Sequence, residues 1–167
     1  MEKSHRGHRL GRSRGTLAAL AAALALVVAS GTWAVADAHA RHKAVSTPDA
    51  PAAIGPYSQG ISTGQLLFVS GQLPIDPRTG TLPAEASIED QTRQVLRNVE
   101  AVLKADRMTL ANVVSTTVYL ADLDDFARFN TAYAEFFGTD SPPARATVEV
   151  ARVPRDAKVE ISAIAVR

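Results

Sequence analysis

Two charges sit where strand-like segments near the end of the chain want apolar residues. Arg145 comes directly after Pro142-Pro143-Ala144, at the head of the run Ala146-Thr147-Val148-Glu149-Val150. Glu160 lies within the run from Lys158 to Val166 and shares its strand parity with Ile164 and Val166. A charged side chain is rarely withdrawn from water unless it is paired or used. Together the two types suit a small anion and a water. A guanidinium gives two parallel, charge-assisted hydrogen bonds to a carboxylate, a fork that lysine lacks. A glutamate one water away from an electrophilic carbon can orient that water and take its proton. Read singly, the same residues have plainer roles: Arg145 as a strand-end arginine in an exposed ion pair, Glu160 as an edge-strand charge that blocks aggregation.

The rest of the composition narrows the chemistry. The chain has no Cys, and its four His (His5, His8, His39 and His42) all precede the segments with regular structure. That excludes a thiol nucleophile, a disulfide, a Ser-His-Asp triad and a histidine or thiolate metal cluster in the folded part. No Gly-rich phosphate loop occurs. Asp122, Asp124 and Asp125 read as helix-start acids, so no metal site is expected.

The elements that must position Arg145 and Glu160 follow from periodicity. Tyr57–Ile61 and Leu66–Ser70 read as a strand pair around Ser62-Thr63-Gly64-Gln65, and Asp76-Pro77-Arg78-Thr79-Gly80 is turn chemistry. Ile88, Val95, Val99, Val102 and Leu103 form one helical stripe from about Ser87 to Ala105, with Ser87-Ile88-Glu89-Asp90 as the N-terminal cap region. Val113–Leu120 is a β-branched strand. Asp122 to Asp125 start a second helix bearing Phe126, Phe129, Tyr133, Phe136 and Phe137, which stops at Gly138 and whose rings read as core packing. The order is ββαβαββ, an α+β fold in which two helices cover one face of a mixed sheet. The other face, assigned to Val148, Val159, Ile161 and Ala163, is left apolar and calls for a second copy of the chain.

The front of the chain belongs to something else. Lys3, Arg6, Arg9, Arg12 and Arg14 precede an uncharged stretch from Leu17 to Ala36 and small-residue sites at Ala34-Val35-Ala36 and Ala38-His39-Ala40. This is the pattern of a signal peptide over residues 1–40, with an uncleaved N-terminal membrane anchor as the rival reading. Residues 41–49 read as a linker and 50–167 as one domain. Five of the 18 Lys and Arg and two of the 17 Asp and Glu fall in residues 1–40, so the remainder carries 13 basic and 15 acidic residues, net −2. The expected location is therefore exported, periplasmic or secreted, and a nucleic-acid partner is not expected.

Several blocks carry a resemblance. Pro51-Ala52-Ala53-Ile54-Gly55-Pro56-Tyr57-Ser58-Gln59-Gly60, Val69-Ser70-Gly71-Gln72 with Pro74, Asp76-Pro77-Arg78-Thr79-Gly80, and Pro143-Ala144-Arg145-Ala146-Thr147-Val148-Glu149-Val150-Ala151-Arg152-Val153-Pro154 occur in order. With Asp125-Phe126, Asn130 and the closing run from Val159 to Val166, they resemble the RidA/YjgF family of reactive-intermediate deaminases over residues 46–167. The resemblance implies a chorismate-mutase-like protomer, a homotrimer, and clefts between subunits that bind small 2-imino and 2-oxo acids. It implies hydrolysis of 2-iminobutanoate or 2-iminopropanoate to the 2-oxo acid and ammonia, with no metal and no organic cofactor.

Carried over by position, the resemblance makes Arg145 the grip on the substrate carboxylate and Glu160 the holder of the attacking water. Tyr57 joins them as a catalytic candidate, with Ser70, Gly71, Asn130 and Thr147 as substrate-binding residues. The family often has Cys where this chain has Thr147. The alternative function is a non-catalytic module that binds small carboxylates in the same cleft. A third class, ribonuclease or chaperone-like activity, is opposed in its first form by the net acidic domain.

Overall fold

The structure is a computed structural model that describes residues 42–82 and 85–167. The expected signal or anchor segment, residues 1–40, lies outside the described residues. Among the described residues, no helix is long and apolar enough to cross a membrane.

The described residues form six strands and two α-helices: β1 (Lys43–Val45), β2 (Gly60–Ser62), β3 (Leu66–Gln72), α1 (Ile88–Ala105), β4 (Val113–Leu120), α2 (Phe126–Phe137), β5 (Ala144–Glu149) and β6 (Val159–Val166). The strands make one sheet in the order β1-β2-β3-β6-β4-β5. All neighbours are antiparallel except β4 and β5, which run parallel because α2 crosses over between them. This is the expected mixed sheet with two helices on one face.

Helix α1 begins at Ser87, whose hydroxyl accepts from the Asp90 backbone N–H, and Glu89 and Asp90 sit in its first turn. Its stripe of Ile88, Val95, Val99, Val102 and Leu103 is fully buried. Before α2, the Asp122 carboxylate accepts from Asp124 N and so caps a short 3₁₀ turn. The helix ends where Gly138 takes φ 68°, a conformation open to glycine and strained for other residues.

The edge of the domain differs from expectation. Lys43–Val45, placed in a linker over residues 41–49, pair with Gly60–Ser62 as β1. The buried Gln59 amide explains why the segment after it is held as well. Its Nε2 donates to the carbonyls of Thr47, Ala50 and Pro51, while its Oε1 accepts from Thr47 N. The expected strand Tyr57–Ile61 starts only at Gly60, because Gly55 and Pro56 turn the chain and Gln59 is committed to this loop.

The face expected to be bare is also corrected. Val159, Ile161 and Ala163 are buried beneath the helices, together with Leu67, Val69, Val118 and Leu120. The open face carries Phe68, Ile164 and Val148, at 42%, 36% and 44% exposure. The reason lies in β6 itself. Positions 159, 161, 163 and 165 form an unbroken apolar row, which the helices cover, whereas the alternate row contains Glu160 and Ser162. Ile161→Ala is expected to destabilise the fold by about 2–5 kcal/mol, measured by denaturant unfolding, because the vacated volume is fully buried among Val118, Leu120 and Val159.

Candidate active site

Strand β5 is an edge strand that lies beside β4 in parallel register, with Thr116 opposite Arg145, Val118 opposite Thr147 and Leu120 opposite Glu149. Thr116, Val118 and Leu120 are buried against the helices. Arg145 and Thr147 therefore project to the helix side of the sheet, at the border where α2 closes over it.

The aromatic stripe of α2 meets Arg145 there. The guanidinium carbon stands 4.6 Å from the ring centre of Tyr133, 5.3 Å from that of Phe129 and 5.7 Å from that of Phe126. One guanidinium nitrogen donates to Asn130 Oδ1 at 2.8 Å. Residues 126, 129, 130 and 133 recur at helical spacing, so a single helix face supplies the whole surround. The Tyr133 ring is held in turn by a buried 2.8 Å hydrogen bond between its hydroxyl and that of Thr116. Burial raises the Tyr133 pKa, partly offset by that bond and by the Arg145 charge.

The expected exposed ion pair does not form. Among the described residues, the ion pairs involve Arg78, Arg93, Lys104, Arg128, Arg152 and Arg167, and no carboxylate lies within ion-pair distance of Arg145. Among the described residues, its charge is met by three ring faces and one neutral amide, each cation–π contact contributing about 0.5–2 kcal/mol according to desolvation. The reading of these aromatics as core packing alone is thus corrected. Phe129 and Tyr133 are buried, but Phe126 is 39% exposed and shares an open cleft of about 430 Å³ with Leu123, Arg145 and Thr147. Their spacing was visible in the sequence, but its meaning required knowing which strand lies beneath α2. Thr147 Oγ1 is buried there without a hydrogen-bond partner. Asn130, expected to bind substrate, here orients the guanidinium.

Glu160, Ser70 and Gly71 gather on the opposite face. Glu160 is paired with Tyr119, which is also paired with Val148, so Glu160 belongs to the open row. Strand β6 lies between β3 and β4, which corrects the reading of Glu160 as an edge-strand charge. Its carboxyl is half-buried, and burial raises its pKa above the usual carboxylate range. A break in the β3–β6 register between Val69 and Gln72 brings Gly71 against the Glu160 side chain. The neighbouring Ser70 hydroxyl donates to Ser58 O at 2.6 Å, and the Ser70 amide donates to Gln59 O at 3.0 Å. Tyr57 shares a small pocket with Gly71, is 47% exposed, and accepts from Ile54 N at its hydroxyl. It is therefore a loop residue and not a core ring.

One chain thus builds two partial sites: Arg145, Asn130 and Thr147 on the helix side, and Glu160, Gly71 and Ser70 on the open side, with Tyr57 in the loop beside Gly71. The guanidinium can bind an anion and the carboxylate can activate a water, but a single sheet holds them on opposite faces.

Residues 47–167 match the family model described as endoribonuclease L-PSP. The chain belongs to the RidA/YjgF family. A RutC family protein of Pyrococcus horikoshii is 53% identical over 121 residues, which cover 72% of this chain and 94% of that protein. The 2-iminobutanoate/2-iminopropanoate deaminase of Escherichia coli K12 is 48% identical over 127 residues, 75% of this chain and 98% of the relative. Among solved structures, Escherichia coli TdcF with bound serine superposes with a TM-score of 0.71 at 45% identity, covering 75% of this chain and 98% of that one. Both partial sites of this RidA-family chain lie inside the matched region.

Proposed function

We propose that this protein hydrolyses reactive 2-imino acids and their enamine tautomers to 2-oxo acids and ammonia, in clefts formed between three copies of the chain. The observation that carries the reading is the Arg145 guanidinium, enclosed by three rings, without a carboxylate partner among the described residues, and facing an open cleft. A planar cation with donors to spare suits a small carboxylate. The name of the Escherichia coli relative supports an imine as the group next to that carboxylate. The net charge of −2 over residues 41–167 favours a small anion over a polyphosphate chain.

The chemistry asks little of the protein. A protonated imine is already electrophilic at carbon, so positioning and one base suffice. Arg145 fixes the carboxylate and with it the adjacent carbon. Glu160 of a neighbouring copy orients a water and takes one of its protons as the new C–O bond forms. The carbinolamine nitrogen then receives that proton and leaves as ammonia, while the hydroxyl gives up its own proton to Glu160, which passes it on to water, and the C–O bond becomes the carbonyl. Tyr57, Ser70 and Gly71 line the Glu160 side of the cleft, and Thr147 the Arg145 side. We read residues 1–40 as the export segment that carries this activity across a membrane.

The composite arrangement has a decisive test. Arg145→Ala and Glu160→Gln are each expected to keep no more than about one hundredth of wild-type activity alone. Denatured together in equal amounts and refolded, about one quarter of interfaces in a cyclic trimer should pair an intact Arg145 with an intact Glu160, recovering a matching share of wild-type activity. A mixture no more active than its components refutes the shared site.

A further inference from the structure

Gly71 stands apart from the glycines that the backbone itself requires. Gly64, Gly80 and Gly138 have positive φ and open space where a side chain would go. At Gly71 the reverse holds: no left-handed backbone is needed, but the space is taken. A Cβ built there overlaps Glu160 Oε1 and lies 2.7 Å from Glu160 Cδ and 3.1 Å from Cγ, well inside van der Waals contact. The register break between Val69 and Gln72 is what brings this backbone against the carboxylate.

The geometry points to Gly71 as a positioning residue that holds the Glu160 carboxylate against the β3 backbone by having no side chain. This inference rests on Glu160 being the base of the proposed reaction. Without the gap, the carboxylate is driven away from the strand and toward water. The surroundings leave steric space as the controlling factor. On β3 the neighbours Ser70, Gly71 and Gln72 carry no charge, on β4 the opposing residue is Tyr119, and on β6 itself Ser162 follows on the same face, with Lys158 just before the strand. Burial alone shifts the Glu160 carboxyl upward, with no hydrogen bond or neighbouring charge offsetting it among the described residues. A carboxylate partly shielded from water in this way is a stronger base than one fully in water.

The test uses Gly71→Ala in the full chain. With 2-iminobutanoate freshly generated by an amino-acid oxidase, kcat should fall about ten- to a hundredfold while KM changes by less than about threefold, as expected for a misplaced base. The Glu160 carboxyl, followed by carbon NMR, should titrate at lower pH than in the wild type. Glu160→Asp, one methylene shorter, should cost less activity in the Gly71→Ala background than alone. If Gly71→Ala folds poorly, its thermal stability compared in wild-type and Glu160→Ala backgrounds gives a reading independent of activity. The shift in melting temperature caused by Gly71→Ala should differ between the two backgrounds, because only in the first must the methyl displace a carboxylate. An unchanged Glu160 titration, or a stability change that is the same in both backgrounds, overturns the inference. Coupled stability or a shifted titration in a protein that hydrolyses no imine supports the steric role while removing the proposed reaction.

Discussion

Arg145→Lys is expected to lower kcat/KM for 2-iminobutanoate by about a hundredfold or more, and Arg145→Ala by at least as much. One hydrogen bond to a charged partner contributes about 1.5–3 kcal/mol, and a fork makes two of them. Lysine keeps the charge, but its ammonium cannot present two parallel donors or lie flat on the rings of Phe126, Phe129 and Tyr133. The loss should show mainly in KM for small substrates, which have little else to hold them, and in kcat as well if the carboxylate sets the angle of the imine carbon. Steady-state rates, with ammonia or semicarbazone detection, separate the two. A lysine variant as active as the wild type would sink the carboxylate grip and with it the reaction.

Glu160→Gln is expected to reduce kcat about a hundredfold with KM nearly unchanged, since glutamine keeps the shape and can still hold a water but cannot accept its proton. The pH profile carries the sign. Activity requires the ionised carboxylate, and burial raises its pKa, so the wild-type acid limb should lie above the ordinary glutamate range and vanish in the variant. Stability should move the other way. A carboxyl whose folded pKa is raised favours the fold fully below its unfolded pKa and loses that contribution as pH rises through the folded value. Glu160→Gln should therefore melt higher than the wild type at pH 7, with the difference closing below about pH 4, near the unfolded glutamate value. Equal turnover by both proteins would instead identify a carboxylate-binding module without catalysis.

Much of the architecture was legible because local rules and tertiary needs agree. Ser87 at the head of α1, the buried stripe through Val95 and Val99, the β-branched strand Val113–Leu120 and the stop at Gly138 all follow from short-range periodicity and capping. The misread places are those where distant residues intervene. β1 exists because Gly60–Ser62 offers an edge to pair with, and Tyr57 leaves the expected strand because the Gln59 amide is engaged with residues 47–51.

Residue types and their order were enough for the chemistry: an arginine and a glutamate in apolar strands, a chain without thiols, and two amphipathic helices able to cover only one face of a sheet. Which face each charge takes was set by packing and strand register. In a strand, alternation assigns side chains to two sides but not to inside or outside, and that choice depends on which apolar row the helices bury. Packing Val159, Ile161, Ala163 and Ala165 under α1 and α2 sent Glu160 to the open side, while the register of β5 on β4 set Arg145 beneath the rings of α2. The separation of the two charged groups onto opposite faces is a consequence of sheet register, a property that no local pattern encodes.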